Sequence, residues 1–362
     1  MKLHATERMR IAIDDAMDIH GGKAVIDGPQ NYMGNLYRSV PVGITVEGAN
    51  ILTRNLIVFG QGAIRAHPYL LEEMNALGDQ DRAKGLDAFD KAFWKHIGHS
   101  FTTLFRAWGR SWTGGAFAPA PDAGDATGFY RQLSRYSSAF ALCADMALLT
   151  LGGALKRKEM LSARFGDILS ELYLLSAALK RWQDEGRQPA DLPLLEWCME
   201  ASFATIEARF DEIFANFPNR PAAWLLRFLL LPLGLRRRGP SDRLTQACAD
   251  ILLAPSATRD RLTVDIFHGT GDDGLARLER AYDLTIATQP LRDRLHKAHV
   301  HDIEKARQQK LINDTEASEL HAAAEAVAAA VAVDDFAAEE LSPRRALGEV
   351  LSQAMSRPTA AE

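Results

Sequence analysis

The segments Tyr130 to Gly152, Leu155 to Gly186 and Leu192 to Phe217 place apolar residues three and four positions apart, and no stretch of useful length alternates apolar with polar residues. In the second segment Leu161, Phe165, Ile168, Leu169, Leu172, Leu175 and Leu179 trace a single stripe. A chain with this periodicity buries its apolar surface helix against helix, so the predicted fold is all-α, built as helical bundles. The same spacing marks Thr6 to His20, where Met9, Ile13, Ala16 and Met17 share a face until Gly21-Gly22 stops the helix. Residues 23–43, punctuated by Gly28, Pro29, Gly34 and Pro41, read as a loop with one helical turn, and Val46 to Arg65 as a further helix. Helices are also predicted from Leu86 to Trp112, Arg243 to Leu253, Leu275 to Lys310 and Thr315 to Val333, with Ala360, Ala361 and Glu362 frayed. Between them Gly114 to Gly128, with four glycines and two prolines, reads as a linker, and no internal repeat is found.

Composition narrows the function classes. The 362 residues leave room for more than one core at about 100 to 200 residues per domain. Lys plus Arg number 42 against 47 Asp plus Glu, a net charge of −5, which excludes a broad basic field for nucleic acid. Cys143, Cys198 and Cys248 are far apart and form no CxxC pair, as suits a reducing cytosol. No signal peptide is evident, and no unbroken run of about 18 uncharged apolar residues offers a membrane span.

Most motifs read as packing. The aromatics Phe89, Phe93, Trp94, Phe101, Phe105 and Trp108 lie on one broad helix face and are expected in the core. Gly60-Gln61-Gly62 after Leu56-Ile57-Val58-Phe59 resembles a strand feeding a dinucleotide turn, but Arg65 replaces the third glycine and Pro68 interrupts the following helix. A glycine-capped helix end is the expectation there. His296, His299 and His301 lack an HExxH pattern and are expected on a solvated helix face, so no metal site is predicted. No GxSxG elbow supports serine hydrolase chemistry. The block from Trp224 to Arg238, apolar with tryptophan near one end and Arg236, Arg237 and Arg238 at the other, matches a membrane-surface segment as well as a buried helix capped by arginines.

One set of residues stands apart. Asp14 to Gly22 ends a helix in Asp18-Ile19-His20-Gly21-Gly22, Arg38 follows, and Glu47-Gly48-Ala49 lies nine residues beyond the arginine. In order and spacing this resembles the end of the acyl-CoA dehydrogenase catalytic domain, which shows Q-x-x-G-G, then an R-D pair, then E-G-T. Asp18, Ser39 and Ala49 stand where the family has glutamine, aspartate and threonine, so flavin contacts there are expected through backbone. The long bacterial enzymes of fatty-acid β-oxidation are the nearest likeness. Their helical extension is similar to residues 66 to about 355, including Leu151 to Glu159 and Ser162 to Asp167.

The resemblance implies an FAD-dependent oxidoreductase that converts a fatty acyl-CoA to its trans-2-enoyl-CoA. It implies Glu47 as the base taking the α-proton, with its backbone N–H at the thioester oxygen, and Gly48 beside the substrate. It also implies Gly21, Gly22 and Ala49 at the flavin, the glycine pair approaching the FAD of a neighbouring subunit. Burial by the acyl chain would raise the glutamate toward the working range of a base. The expected domains are 1–65, the end of the catalytic helical domain; 66–113, connecting helices; 114–128, linker; 129–355, extension; and 356–362, tail. Because no β-domain pattern is found, the chain is expected to be the C-terminal part of such an enzyme, from a truncated or split frame, inactive without the missing N-terminal and β domains or a neighbouring subunit. The expected location is the cytoplasm, peripheral to the inner membrane; chain-length preference, electron acceptor and oligomeric state are not readable. The competing reading is a non-catalytic helical interaction or membrane-docking module.

Overall fold

A computed structural model describes residues 1–338 together with 340, 348 and 352. The expected tail 356–362, the frayed Ala360, Ala361 and Glu362 and the last residues of the 129–355 extension lie outside the described residues. All regular structure among the described residues is helical. The chain forms two compact units, one of Met1–Thr45 with Ile266–Glu362 and one of Val46–Asp265.

In the first unit the Lys2–His20 helix packs on a Met33–Thr45 helix. The second of these lies where a loop is predicted: burial of Met33 and Val40 outweighs Gly34 and Pro41, and Asn31 Oδ1 accepts from the Gly34 N–H at 2.8 Å to start it. Gly21, at φ 56°, ends the first helix as expected. The two ends of this unit are joined by buried Lys23, whose Nζ donates to the Ala330 carbonyl at 2.6 Å. Burial lowers that ammonium below the ordinary lysine value. A cluster centred on Leu291, Leu295, Ile312 and Leu320 stabilises the later helices, and Asn313 with Glu316 forms a capping box opening the Asp314–Val331 helix.

In the second unit the helix predicted over Val46 to Arg65 begins only at Asn50, because Glu47 and Gly48 hold positive φ, and it continues with Thr53–Gln61 wound as a π-helix flowing into the Gly62–Ala66 helix. No strand precedes Gly60 and no cap follows it; Gly60 and Gly62 lie within the helical run. The need for glycine is steric. A Cβ on Gly60 would sit 3.2 Å from Ser162 Oγ, and one on Gly166 would sit 3.1 Å from the Arg54 carbonyl oxygen. The π-helix and the Glu159–Asp184 helix therefore approach almost backbone to backbone. Phe59 stacks on Phe165 at 4.5 Å in the same interface. Beside it Asp167 accepts from Arg54 Nε and Nη2 at 2.7 and 2.6 Å, and Arg209 Nε lies 2.8 Å from the same Oδ2 that Arg54 Nη2 reaches.

The Thr127–Leu151, Glu159–Asp184 and Leu192–Asn216 helices supply the centre of this unit, with Tyr136, Phe165, Phe203, Phe210 and Phe214 buried among them. The stripe read from sequence points inward at Leu161, Phe165, Ile168, Leu172, Leu175 and Leu179, while Leu169 sits at its edge. The stretch Gly124–Arg157 is long and apolar enough to cross a membrane, a property hidden from a search for uncharged runs by Arg131, Arg135 and Asp145. Here its helix is a core element that buries Leu142, Cys143 and Ala147.

The Arg82–Trp112 helix reverses its expected orientation. Its buried residues are Gly85, Ala92, Thr103, Ala107 and Ser111, whereas Trp94, Phe101, Phe105, Trp108 and Trp112 are exposed, Phe101 by 59%. Small side chains let this helix lie close to its neighbours, and the aromatic face is left outward.

Candidate functional site

The predicted site residues divide between the units. Gly21 and Gly22 are exposed in the first, and open space lies beside Gly21 where a Cβ would stand. Arg38 in the same unit pairs with Asp27 at 3.3 Å and donates to Asn35 Oδ1 at 2.8 Å, so Asp27 serves as the carboxylate partner that Ser39 does not provide. Glu47, Gly48 and Ala49 open the second unit. Glu47 is exposed and holds φ 54°, followed by Gly48 at φ 87°. Glycine accepts that backbone region freely; glutamate does so at a cost of about 1 to 2 kcal/mol. The turn leaves Glu47 exposed three residues ahead of the helix that begins at Asn50.

His296, His299 and His301 are exposed, as expected, but do not share one helix. His296 lies in the Gln289–Lys297 helix, while His299, at φ 54°, and His301 belong to the turn that follows. In the Trp224–Arg238 block the Arg220–Leu230 helix buries Ala223, Leu226 and Leu230 and exposes Trp224, Leu225 and Phe228. Phe228 meets Trp112 edge to face at 5.3 Å, extending the aromatic surface of the Arg82–Trp112 helix. The arginines do not act as one cationic cluster: Arg237 is bound to Glu200 at 2.7 Å, while Arg236 and Arg238 are exposed.

A different cluster, unforeseen from sequence, lies wholly in the second unit. His67 occupies the turn between the Gly62–Ala66 and Leu70–Leu77 helices, His96 and His99 one turn apart on Arg82–Trp112, and Asp145 on Thr127–Leu151. His96 Nδ1 pairs with Glu73 Oε1 at 2.8 Å, and its ring lies 4.5 Å from that of His67. His67 Nδ1 accepts the backbone N–H groups of Tyr69 and Leu70 at 3.2 and 3.1 Å. That fixes the tautomer: the proton of the neutral ring resides on Nε2, which stands 3.3 Å from Asp145 Oδ1. Burial, helped by repulsion from His67, His96 and Arg106, outweighs the attraction to Asp145 and lowers His99 below its ordinary value of 6.5.

Ligand atoms of His67, His99 and Asp145 lie within 4.8 Å of one another, close enough to share a cation. The tautomer argues against it, since the Nε2 lone pair a metal needs carries a proton. His67, His96 and Asp145, together with Glu73 and Lys156, line a cavity of about 780 Å³ whose remaining wall is mainly apolar, with Leu70, Met74, Phe93, Ile97, Met146 and Leu149. In sequence the only local signal was the pair His96 and His99, three residues apart on a predicted helix.

No solved structure matches the chain. The family model described as acyl-CoA dehydrogenase, C-terminal, bacterial type, matches residues 64–336. This region begins after Gly21, Gly22 and Glu47 and contains the histidine and carboxylate cluster. Since the match covers well over half of its length, the chain belongs to the family of bacterial-type acyl-CoA dehydrogenase C-terminal regions.

Proposed function

We propose that the chain is the C-terminal helical part of an FAD-dependent acyl-CoA dehydrogenase of fatty-acid β-oxidation, and that Glu47 is its base. The observation that carries this reading is Glu47 itself, a non-glycine residue held at φ 54° with its carboxylate exposed. Backbone strain of this kind persists where a side chain must be presented in one direction.

In the reaction Glu47 takes the α-proton of the acyl thioester. Its backbone N–H, at the head of the same turn, donates to the thioester oxygen as negative charge develops there. Gly48 keeps the space beside the base free of side chain. An exposed carboxylate is too well solvated to be a strong base, so the bound acyl chain and the polypeptide that covers it must exclude water from Glu47. The open backbone at Gly21 and Gly22 fits one edge of a flavin site and does not enclose it; Ala49, two residues after the base, is proposed separately as a flavin contact. When bound, the flavin supplies the two-electron acceptor for the β-hydrogen.

A second reading is favoured by the exposed Trp224, Leu225 and Phe228 beside exposed Arg236 and Arg238: this edge rests on an anionic inner-membrane surface, placing a cytoplasmic protein at the bilayer. One preparation tests both. In the flavin-loaded assembly with acyl-CoA, Glu47→Gln should slow flavin reduction by about a hundredfold or more. Glu47→Gly should abolish reduction while raising stability by about 1 kcal/mol through relief of the strained φ. Undiminished reduction by either variant overturns the base assignment. Colourless protein that sediments with anionic vesicles would favour the docking module over the enzyme.

A further inference from the structure

We propose that the cavity ending at His67 and Asp145 binds a neutral single-chain amphiphile whose head is a hydroxyl group. Its volume of about 780 Å³ falls within the roughly 300 to 1,000 Å³ typical of small-molecule sites. The wall is mainly apolar, and its rim leaves Leu149 81% exposed, a large aliphatic side chain in water at the mouth of an apolar space.

The polar end selects the head group. The His67 side chain is only 6% exposed, yet its Nε2 has no hydrogen-bond partner among the described residues, and neither does Asp145 Oδ2. His67 Nε2 and Asp145 Oδ1 are 3.3 Å apart but not aligned for a hydrogen bond with each other. Of the charged and imidazole groups lining the cavity, Glu73 and His96 are paired with each other and Lys156 is exposed, which leaves one buried unused donor, His67 Nε2–H, and one buried unused acceptor, Asp145 Oδ2. Buried polar groups are seldom left unpaired. A hydroxyl satisfies both with one oxygen, accepting from Nε2–H and donating to Oδ2.

Other heads fit less well. A carboxylate only accepts and brings a second negative charge toward Asp145. An ammonium only donates and leaves the His67 proton facing a cation. A metal ion needs the lone pair that the Tyr69 and Leu70 N–H groups force to carry a proton. A single water pairs the two groups but leaves the apolar wall uncovered, whereas an aliphatic chain covers it. The site is independent of Glu47 and of the flavin.

The test uses the full chain titrated with 1-decanol, decanoate, decylamine or zinc ion, followed by calorimetry and thermal unfolding. Decanol should bind saturably at one site and raise the melting temperature, with decanoate and decylamine weaker by about tenfold or more, the scale of one lost charge-assisted hydrogen bond. Met74→Trp, filling the cavity from its apolar side, should abolish binding of all three. Asp145→Leu should remove the preference for the alcohol while leaving the apolar space. Circular dichroism verifies that each variant folds; if Asp145→Leu does not, the head-group ranking in the parent and the loss in Met74→Trp still decide. Absence of saturable decanol binding, equal binding of decanoate or decylamine, decanol binding undiminished in a folded Met74→Trp, or stoichiometric zinc binding overturns the proposal.

Discussion

Glu207 is 1% exposed, yet it is an acid in the middle of the apolar Leu192–Asn216 helix. Its Oε1 accepts from the Tyr136 hydroxyl at 2.8 Å, and its Oε2 accepts from the backbone N–H groups of Arg236 and Arg237 at 2.7 and 2.9 Å. Arg135 Nη2 lies 3.8 Å away with its own side chain 9% exposed. Burial, with Glu207 beside it, raises the Tyr136 hydroxyl far above its ordinary pKa of 10.0, so it is a donor at every ordinary pH. Replacing Glu207 by Leu keeps the bulk of the side chain but strands the Tyr136 hydroxyl, two backbone N–H groups and the Arg135 charge. Breaking a buried pair in this way costs about 3 to 5 kcal/mol. At a urea slope of about 2 kcal/mol per molar, the midpoint falls by roughly 2 M. All six tryptophans lie between Trp94 and Trp224, so their fluorescence follows the Val46–Asp265 unit alone. Tyr136→Phe should cost about 1.5 to 3 kcal/mol, and the double variant less than the sum, because the hydroxyl is then no longer stranded. A loss below about 1 kcal/mol for Glu207→Leu, or strict additivity, would refute the reasoning.

Two further outcomes follow from the same unit. Gly166→Ala should destabilise by about 1 to 3 kcal/mol, because its Cβ would press at 3.1 Å on the Arg54 carbonyl oxygen, whereas Gly60→Ala meets only the movable Ser162 hydroxyl and should cost less; urea melts ranking the two in the opposite order would exclude this packing. Burial works to raise the Glu212 carboxyl, but hydrogen bonds from Arg164 and Arg209 and their charges outweigh it and hold its pKa below the ordinary 4.5. A carboxyl lowered in the folded state adds stability that is full above the unfolded value and is lost as pH falls through the lower folded one. Glu212→Gln should therefore flatten the stability profile below about pH 4.5, and unchanged steepness in that range would show that the ion pairs contribute nothing.

The helical class was legible because a bundle's stripe is written locally, residue by residue, every three or four positions. What periodicity does not say is which stripe faces inward. On Arg82–Trp112 the aromatic stripe looked like core, but the opposite stripe of Gly85, Ala92, Thr103, Ala107 and Ser111 is the buried one. Close helix approach selects small residues, which contribute little to a hydrophobic stripe. Counting Gly34 and Pro41 as breakers concealed the Met33–Thr45 helix for a related reason, since burial of Met33 and Val40 acts over a distance that local propensity ignores. The turn at Glu47-Gly48 was legible as a motif, but its strained φ was not, because glutamate is an uncommon choice there. The cavity cluster was out of reach: His67, His96, His99 and Asp145 come from three separate segments, and only packing brings them together.

Ser162-Ala163-Arg164-Phe165-Gly166-Asp167, one of the segments on which the family likeness rests, touches no catalytic candidate, and its packing explains why such a segment is distinctive. Ser162 lies at the Gly60 backbone, Phe165 stacks on Phe59, and Gly166 admits the Arg54 carbonyl. Asp167 anchors Arg54, and Arg164 reaches Glu212. Nearly every residue of the segment serves contact with one neighbour, the Thr53–Gln61 π-helix, or with the ion pairs beside it. A π-helix is rare and less favourable than an α-helix of the same length, so it needs external contacts to persist. It connects Glu47 at one end to His67 at the other. Fixing it fixes the turn that presents the proposed base and the turn that supplies the unused imidazole donor. A sequence signature can therefore mark a site without containing it, because the residues most constrained by packing hold the element from which functional side chains project.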